Sequence, residues 1–471
     1  MDSGKGTRWI LATAAVGTFM AALDSSVVNL ILPNLGAYFR TSLSTIEWTV
    51  MSYLLVISSL LLAYGRLGDL YGHKKIYLLG YGVFTAGSLL CGFAPTVLML
   101  IIFRGVQAVG AGMLMAMGPA IVTDAVSPES RGKALSVSAV AVAVAATVGP
   151  VLGGFLADAF GWRSVFLINI PIGIAGLWLA ARTIPVHRVE KAQSFDFIGA
   201  AMTFVALIAI LLPLSLVEEF GWGNPWIVGS LLFGLALAAV FVLYEGRTAY
   251  PMFEMDLFRN RLFAMSNLAA LLNYMAQFSI ILLIPFYLQQ LRGLSPEHAG
   301  LLYLPMPLMT MVVAPISGVL SDRMDSRYIS SAGMAIIACG MWQLSNLKAD
   351  SPFLLLIIGL VTIGLGSGLF QTPNNSAIMG SVPGTKRGIA SGMLATMRNI
   401  GMVLGVAISG AIFTSHKDLL LKALHVKGLS GGALQQAAFV GALHLAYTVG
   451  ALLAILGVIA SLVRGKTRPA G

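Results

Sequence analysis

Runs of about 20 apolar residues recur from one end of this chain to the other. A helix of that length crosses the roughly 30 Å hydrocarbon core of a bilayer. Within lipid only helices and closed barrels satisfy their own backbone groups. The short alternating segments of a membrane barrel are absent. Only 10% of the 471 residues are charged, against about 25% in an ordinary soluble domain. A single soluble core also stops growing at roughly 250–300 residues. The pattern therefore predicts an all-α polytopic membrane protein.

Spans are expected at 9–33, 46–64, 76–94, 97–119, 135–157, 164–184, 197–217, 225–244, 262–289, 299–320, 328–347, 352–378, 389–414 and 438–463. These are fourteen helices. With the N-terminus inside, 20 of the 29 Lys and Arg fall on the cytoplasmic side and seven outside, while Arg104 and Arg398 lie within spans. That bias favours an even span number with both termini in the cytoplasm. The net charge of +10 thus serves orientation, and nucleic acid is not an expected partner. The first apolar stretch has no small-residue cleavage site behind it and reads as a retained span, not a signal peptide. Cys91 and Cys339 both sit in apolar runs, which argues against a disulfide framework or zinc site.

The sequence repeats itself. "GRLGDLYGHKK" at 65–75 aligns with "GVLSDRMDSRY" at 318–328, and "ESRGKAL" at 129–135 with "TKRGIAS" at 385–391, at offsets of 253 and 256. Gly149 and Gly154 fall on Gly405 and Gly410 at the second offset. The organisation expected is a six-helix bundle over 1–190, two inserted helices over 191–260 and a second six-helix bundle over 261–471. Parallel repeats about an axis along the membrane normal are a transporter architecture, with substrate bound near the midplane between them.

At these residues the chain resembles the major facilitator superfamily, and within it the fourteen-helix drug/proton antiporters. "GRLGDLYGHKK" is similar to the loop motif between helices 2 and 3, "LIIFRGVQAVGAG" at 100–112 to the helix 4 arginine motif, and "ATVGPVLGG" at 146–154 to the helix 5 antiporter motif. "LDSSVVNLILPNL" in span 1, "GWRSVFLINIPIG" at 161–173 and "ATMRNIGMVLGVAISG" at 395–410 resemble further segments of that group. The chain departs from the loop motif at Leu70, where arginine is common, while the second copy carries Arg323. The resemblance implies the major facilitator fold and proton-driven transport.

The residues carry their own chemistry. Asp24 interrupts span 1, where a charge at the bilayer centre costs about 2.5–3.5 kcal/mol on insertion scales. It is the expected proton site. The resemblance implies a proton-coupling role for Arg104 on span 4, a static brace being the other reading. Gly65, Asp69, Gly72, Lys74 and Lys75, with Asp322 and Arg323 of the second copy, are expected to form a cytoplasmic gate; Gly65 and Gly72 would allow close approach and tight turning. Small residues at spacing four, Ala141, Ala145, Gly149, Gly153 and Ala157, form a close-packing ridge on span 5 beside Pro150 and Gly154. This reads as an antiporter hinge and leak seal.

Polar and aromatic residues inside spans are candidates for substrate contact: Asn29, Tyr53, Asn273, Tyr274, Gln277, Phe278, Tyr287, Gln371, Asn374, Asn375 and the cation Arg398. Arg398 has no counterpart in the first repeat, where Val142 stands. Neither glycine-rich stretch, "GLGSG" or "VGAG", has the strand–turn–helix setting of a nucleotide loop. No cofactor, metal or catalytic residue is expected. The reading is a membrane-embedded, monomeric secondary transporter, not an enzyme, that exports amphipathic compounds in exchange for protons across the cell membrane. A lipid or metabolite transporter of the same fold is the alternative.

Overall fold

A computed structural model describes residues 3–126, 131–185, 196–248, 255–383 and 386–465, with the side chains of a few helical residues, Asp69 and Asp322 among them, left out. The first part of the chain forms α1 (Ser3–Phe39), α2 (Leu43–Ile46), α3 (Trp48–Tyr71), α4 (His73–Gly92), α5 (Val97–Asp124), α6 (Arg131–Phe160), α7 (Arg163–Leu167) and α8 (Asn169–Thr183). Two helices follow, α9 (Phe197–Phe220) and α10 (Pro225–Glu245). The remainder forms α11 (Arg261–Phe286), α12 (Pro296–Tyr303), α13 (Pro305–Arg323), α14 (Ser326–Ser345), α15 (Phe353–Gly380), α16 (Arg387–Val426) and α17 (Gly431–Val463).

Helix boundaries follow local chemistry. Thr96 caps α5 by accepting from the Met99 N–H, Ser295 caps α12 before Pro296, and Asp325 caps α14 from the Arg327 N–H. The turn from α3 to α4 is a single residue, Gly72, at φ 92°, a conformation that a side chain resists. Pro305 starts α13 directly after α12, so the expected span 299–320 is two helices. The expected span 164–184 likewise breaks at Ile168. Helix α16 runs twelve residues past the expected limit of 414, and Lys417 and Lys422 lie inside it.

Every expected span holds a helix. Eleven helical segments among the described residues are long and apolar enough to cross a membrane. The helices α4 and α14 fall short of that measure. In α4 and α14 the reason is visible: glycine, serine and tyrosine dilute the apolar residues because these helices pack between neighbours. Helix α4 lies against α5 and α8, and α14 against α15 and α17.

The internal repeat is equally plain in packing. The neighbours α1–α6, α3–α5, α4–α5 and α4–α8 recur as α11–α16, α13–α15, α14–α15 and α14–α17. Gly80 and Gly110 let α4 and α5 touch backbone to backbone, and Gly333 and Gly366 do the same for α14 and α15. A methyl on Gly366 would stand 2.6 Å from the Gly333 carbonyl oxygen, and one on Gly110 would stand 2.6 Å from that of Gly80. These glycines stand 253 and 256 residues apart, the offsets of the loop motifs. The pair α9–α10 packs on itself and touches α2, α3 and α16 through α9, along the seam between the repeats.

The two repeats meet at the end of the bundle opposite the termini. There Gln289 Nε2 donates to the Leu30 carbonyl at 2.8 Å. The Pro150 carbonyl of α6 abuts Gly300 of α12, and Gly154 faces the backbone of Pro296 and Glu297. Buried Glu47, before α3, lies against Gly410 of α16.

Candidate functional site

Between the repeats lies a cavity of about 750 Å³. From the first repeat, Ser25, Ser26 and Asn29 of α1, Tyr53 of α3 and Val142 of α6 line it. From the second come Tyr274, Gln277 and Phe278 of α11, Gln371 and Asn375 of α15, and Arg398 and Asn399 of α16. Most of the wall is apolar, with amides and aromatic rings set into it, the composition of a small-molecule site.

Three expected substrate residues are elsewhere. Asn273 is fully buried in the second repeat and accepts from Gln277 Nε2 at 2.8 Å. Asn374 is buried too; its Nδ2 donates to the Ser266 carbonyl at 3.1 Å and its Oδ1 accepts from Arg464 at 3.0 Å. Successive helical residues are about 100° apart around the axis, so Asn375 faces the cavity while Asn374 turns into the bundle. Tyr287 donates to the Lys348 carbonyl near the closed end.

Asp24 does not line the cavity either. It points into the first repeat, 1% exposed, and every hydrogen bond it makes there is an acceptance. Arg104 Nη1 reaches Oδ2 at 2.5 Å, while Gln107 Nε2 and Asn169 Nδ2 reach Oδ1 at 2.8 and 2.9 Å. Arg104 also donates to Gln107 Oε1 and to the Thr49 carbonyl. Its guanidinium stacks 4.1 Å from the centroid of Tyr53. Tyr53 thus forms the partition: one face toward the cavity, the other on the ion pair, its hydroxyl on the Ala21 carbonyl. Gln107 and Asn169 were not singled out in sequence. Gln107 stands three residues after Arg104, on the same helix face, and that spacing is the one sequence signal available for it.

The glycines of α6 do seat close contacts. Gly149 packs on Ser26, Gly153 on Val27 and Gly154 on α12, while Pro150 lies on the cavity wall. Adjacent faces of one helix therefore hold α1 and close the far end together. The loop residues of the expected gate stand at the open end. Lys74 Nζ donates to the Ala181 carbonyl at 2.8 Å, within its own repeat, and Lys75 and Arg323 are exposed. The close approach expected at Gly65 is absent, since nothing lies within 4 Å of a methyl built there; Gly68 is the crowded position, against Met117 and His73. His73 Nδ1 meets Asp124 Oδ2 at 2.7 Å and ties α4 to the end of α5.

Arg464, counted in sequence as a loop cation, is 1% exposed at the end of α17. Its fork donates to Asn374, Ser326, Ser266 and Ser330, joining α17 to α15, α14 and α11. Burial pushes its pKa down to about 10, partly opposed by Asp325.

Residues 14–196 and 190–406 match the family model of the Major Facilitator Superfamily. The chain belongs to that superfamily. It is a multi-pass membrane transporter for small molecules. It is 38% identical to riboflavin transporter RibZ of Clostridioides difficile strain 630, over 86% of this chain and 88% of that one. It is 32% identical to multidrug resistance protein Stp of Mycobacterium tuberculosis strain CDC 1551 / Oshkosh, over 86% and 75%. It is 30% identical to multidrug transporter protein MdtP of Bacillus subtilis strain 168, over 89% and 78%. Among solved structures, a bacterial homologue of the human lysosomal transporter Spinster, inward-facing and unoccupied, has the same fold, with a TM-score of 0.71 at 15% identity over 98% of this chain and 97% of that one.

Proposed function

We propose that this transporter is a proton-driven antiporter of the cell membrane that exports amphipathic small molecules by alternating access. The observation that carries the reading is the cavity between two similarly packed repeats, sealed where α6 meets α12. With both termini in the cytoplasm, as the Lys and Arg distribution favours, the sealed end is the outer one and the cavity takes substrate from the cytoplasm. A monomer with no cofactor suffices, because each chain holds one whole cavity.

Asp24 is the proton site in this reading, with Arg104 as its partner. Helix α1 supplies the linkage. Asp24 faces the first repeat's interior, Ser25 and Asn29 face the cavity, Val27 packs on Gly153 in the seal, and the Leu30 carbonyl holds Gln289 of the other repeat. A proton on Asp24 removes the charge that Arg104 holds, so α1 loosens from α5 and its contacts at the cavity and seal shift together. The names of Stp and MdtP support drug export. The name of RibZ favours a second reading, in which a metabolite is the cargo of the same cycle.

The test is transport into and out of proteoliposomes under an imposed pH gradient, with a panel of cationic, neutral and anionic amphipathic dyes. The expected result is gradient-driven movement of at least one class, lost in Asp24→Asn. Movement indifferent to the gradient rejects proton coupling. A variant that still couples protons removes Asp24 from the mechanism.

A further inference from the structure

We propose that the cavity selects organic anions: a planar apolar body bearing one oxyanion group, carboxylate or phosphate, that pairs with Arg398. The proposal rests on the transporter reading above and names its cargo.

Arg398 is the one charged side chain on the cavity wall among the described residues. It makes no hydrogen bond and no ion pair there, and its buried Nε has no acceptor. Its neighbour Asn399 lines the same wall with a buried Nδ2 that also lacks a partner. Donors left unpaired in an apolar chamber are costly until a ligand accepts from them. A guanidinium has five N–H donors in a planar fork that matches a carboxylate or phosphate. The unpaired guanidinium on the wall of α16 therefore describes an oxyanion site.

No acidic side chain among the described residues of the wall offsets that charge. The nearby acid, Asp24, is consumed by Arg104 behind the Tyr53 ring. An organic cation would enter an apolar space carrying a net positive charge, where Coulomb repulsion is weakly screened. The shape of the wall gives the rest of the ligand. Tyr274, whose ring centroid lies 5.9 Å from the Arg398 guanidinium, and Phe278 supply faces for a flat ring system. Opposite them in the repeat, Val142 occupies the position matching Arg398. The cargo is thus oriented, acid end on Arg398 of α16 and ring system against Tyr274 and Phe278 of α11.

The test compares fluorescein with rhodamine 123, one xanthene ring with opposite charge, binding the purified full-length protein in phosphatidylcholine nanodiscs by fluorescence polarisation. Fluorescein is expected to bind on the order of tenfold or more tighter, the ratio that one charge-assisted pair supplies. Arg398→Gln should abolish the preference and Arg398→Lys should keep part of it. Rhodamine binding as tightly as fluorescein, no saturable fluorescein binding, or a preference unchanged in Arg398→Gln overturns the proposal. The parent comparison stands even if a variant fails to fold. Gradient-driven transport of cationic dyes alone would refute the anion site and leave the antiporter reading intact. Anion-selective binding with no gradient-driven transport would do the reverse.

Discussion

Replacing Asp24 by asparagine should destabilise the first repeat by more than any other single polar substitution in α1. The carboxylate accepts three hydrogen bonds from Arg104, Gln107 and Asn169 and neutralises a guanidinium that is 1% exposed. Asparagine offers one acceptor oxygen and turns an N–H₂ toward groups that are themselves donors. Arg104 keeps its bonds to the Thr49 carbonyl and Gln107 but loses its counter-charge. Breaking a buried pair by removing one member costs about 3–5 kcal/mol. Removing the arginine as well removes the stranded charge, so Asp24→Asn with Arg104→Gln should cost less than the sum of the single changes by up to about 3 kcal/mol. Equilibrium unfolding in mixed detergent micelles, followed by tryptophan fluorescence, measures all four corners of the cycle. A cost for Asp24→Asn below about 1 kcal/mol, with additive single changes, would refute the reasoning that Asp24 and Arg104 form an energetically coupled buried pair.

Two further outcomes follow from the geometry. Gly154→Leu drives a side chain into the Pro296–Glu297 backbone, so the seal should open, and a cysteine placed at Leu30 should react with a membrane-impermeant thiol reagent added to the sealed side on the order of tenfold faster than in the parent. Asn374→Leu strands one arm of the buried Arg464 and should cost about 1–3 kcal/mol in the same unfolding assay, yet leave dye affinity unchanged, because its side chain is outside the cavity.

The sequence made some of this visible and hid the rest for physical reasons. Asp24 and Arg104 stood out because a charge in an apolar run is costly wherever it points. Gln107 and Asn169, which complete their network, are neutral amides and carry no such mark. Asn374 and Asn375 are adjacent in sequence and similar in chemistry, yet one helical step of rotation sends them to different places; only packing decides which faces the cavity. Gly80, Gly110, Gly333 and Gly366 follow the same repeat as the loop motifs, but four glycines among 52 are not legible without their partners. Arg464 looked like a topogenic cation because charge counting stops at the end of a span, whereas the chain folds it back under α14 and α15.

The central claim is that the repeats rock about the cavity, exchanging a seal at one end for a seal at the other. Spin-label distances test it most directly, in protein with Cys91 and Cys339 replaced by serine. One pair, Tyr38→Cys with Leu354→Cys, reports on the sealed end, and another, Tyr71→Cys with Tyr328→Cys, on the open end; all four positions are exposed. Imposing a proton gradient in the presence of a bound substrate should lengthen the first distance and shorten the second in the same population. Two distances that never move, or that lengthen together, would contradict the account.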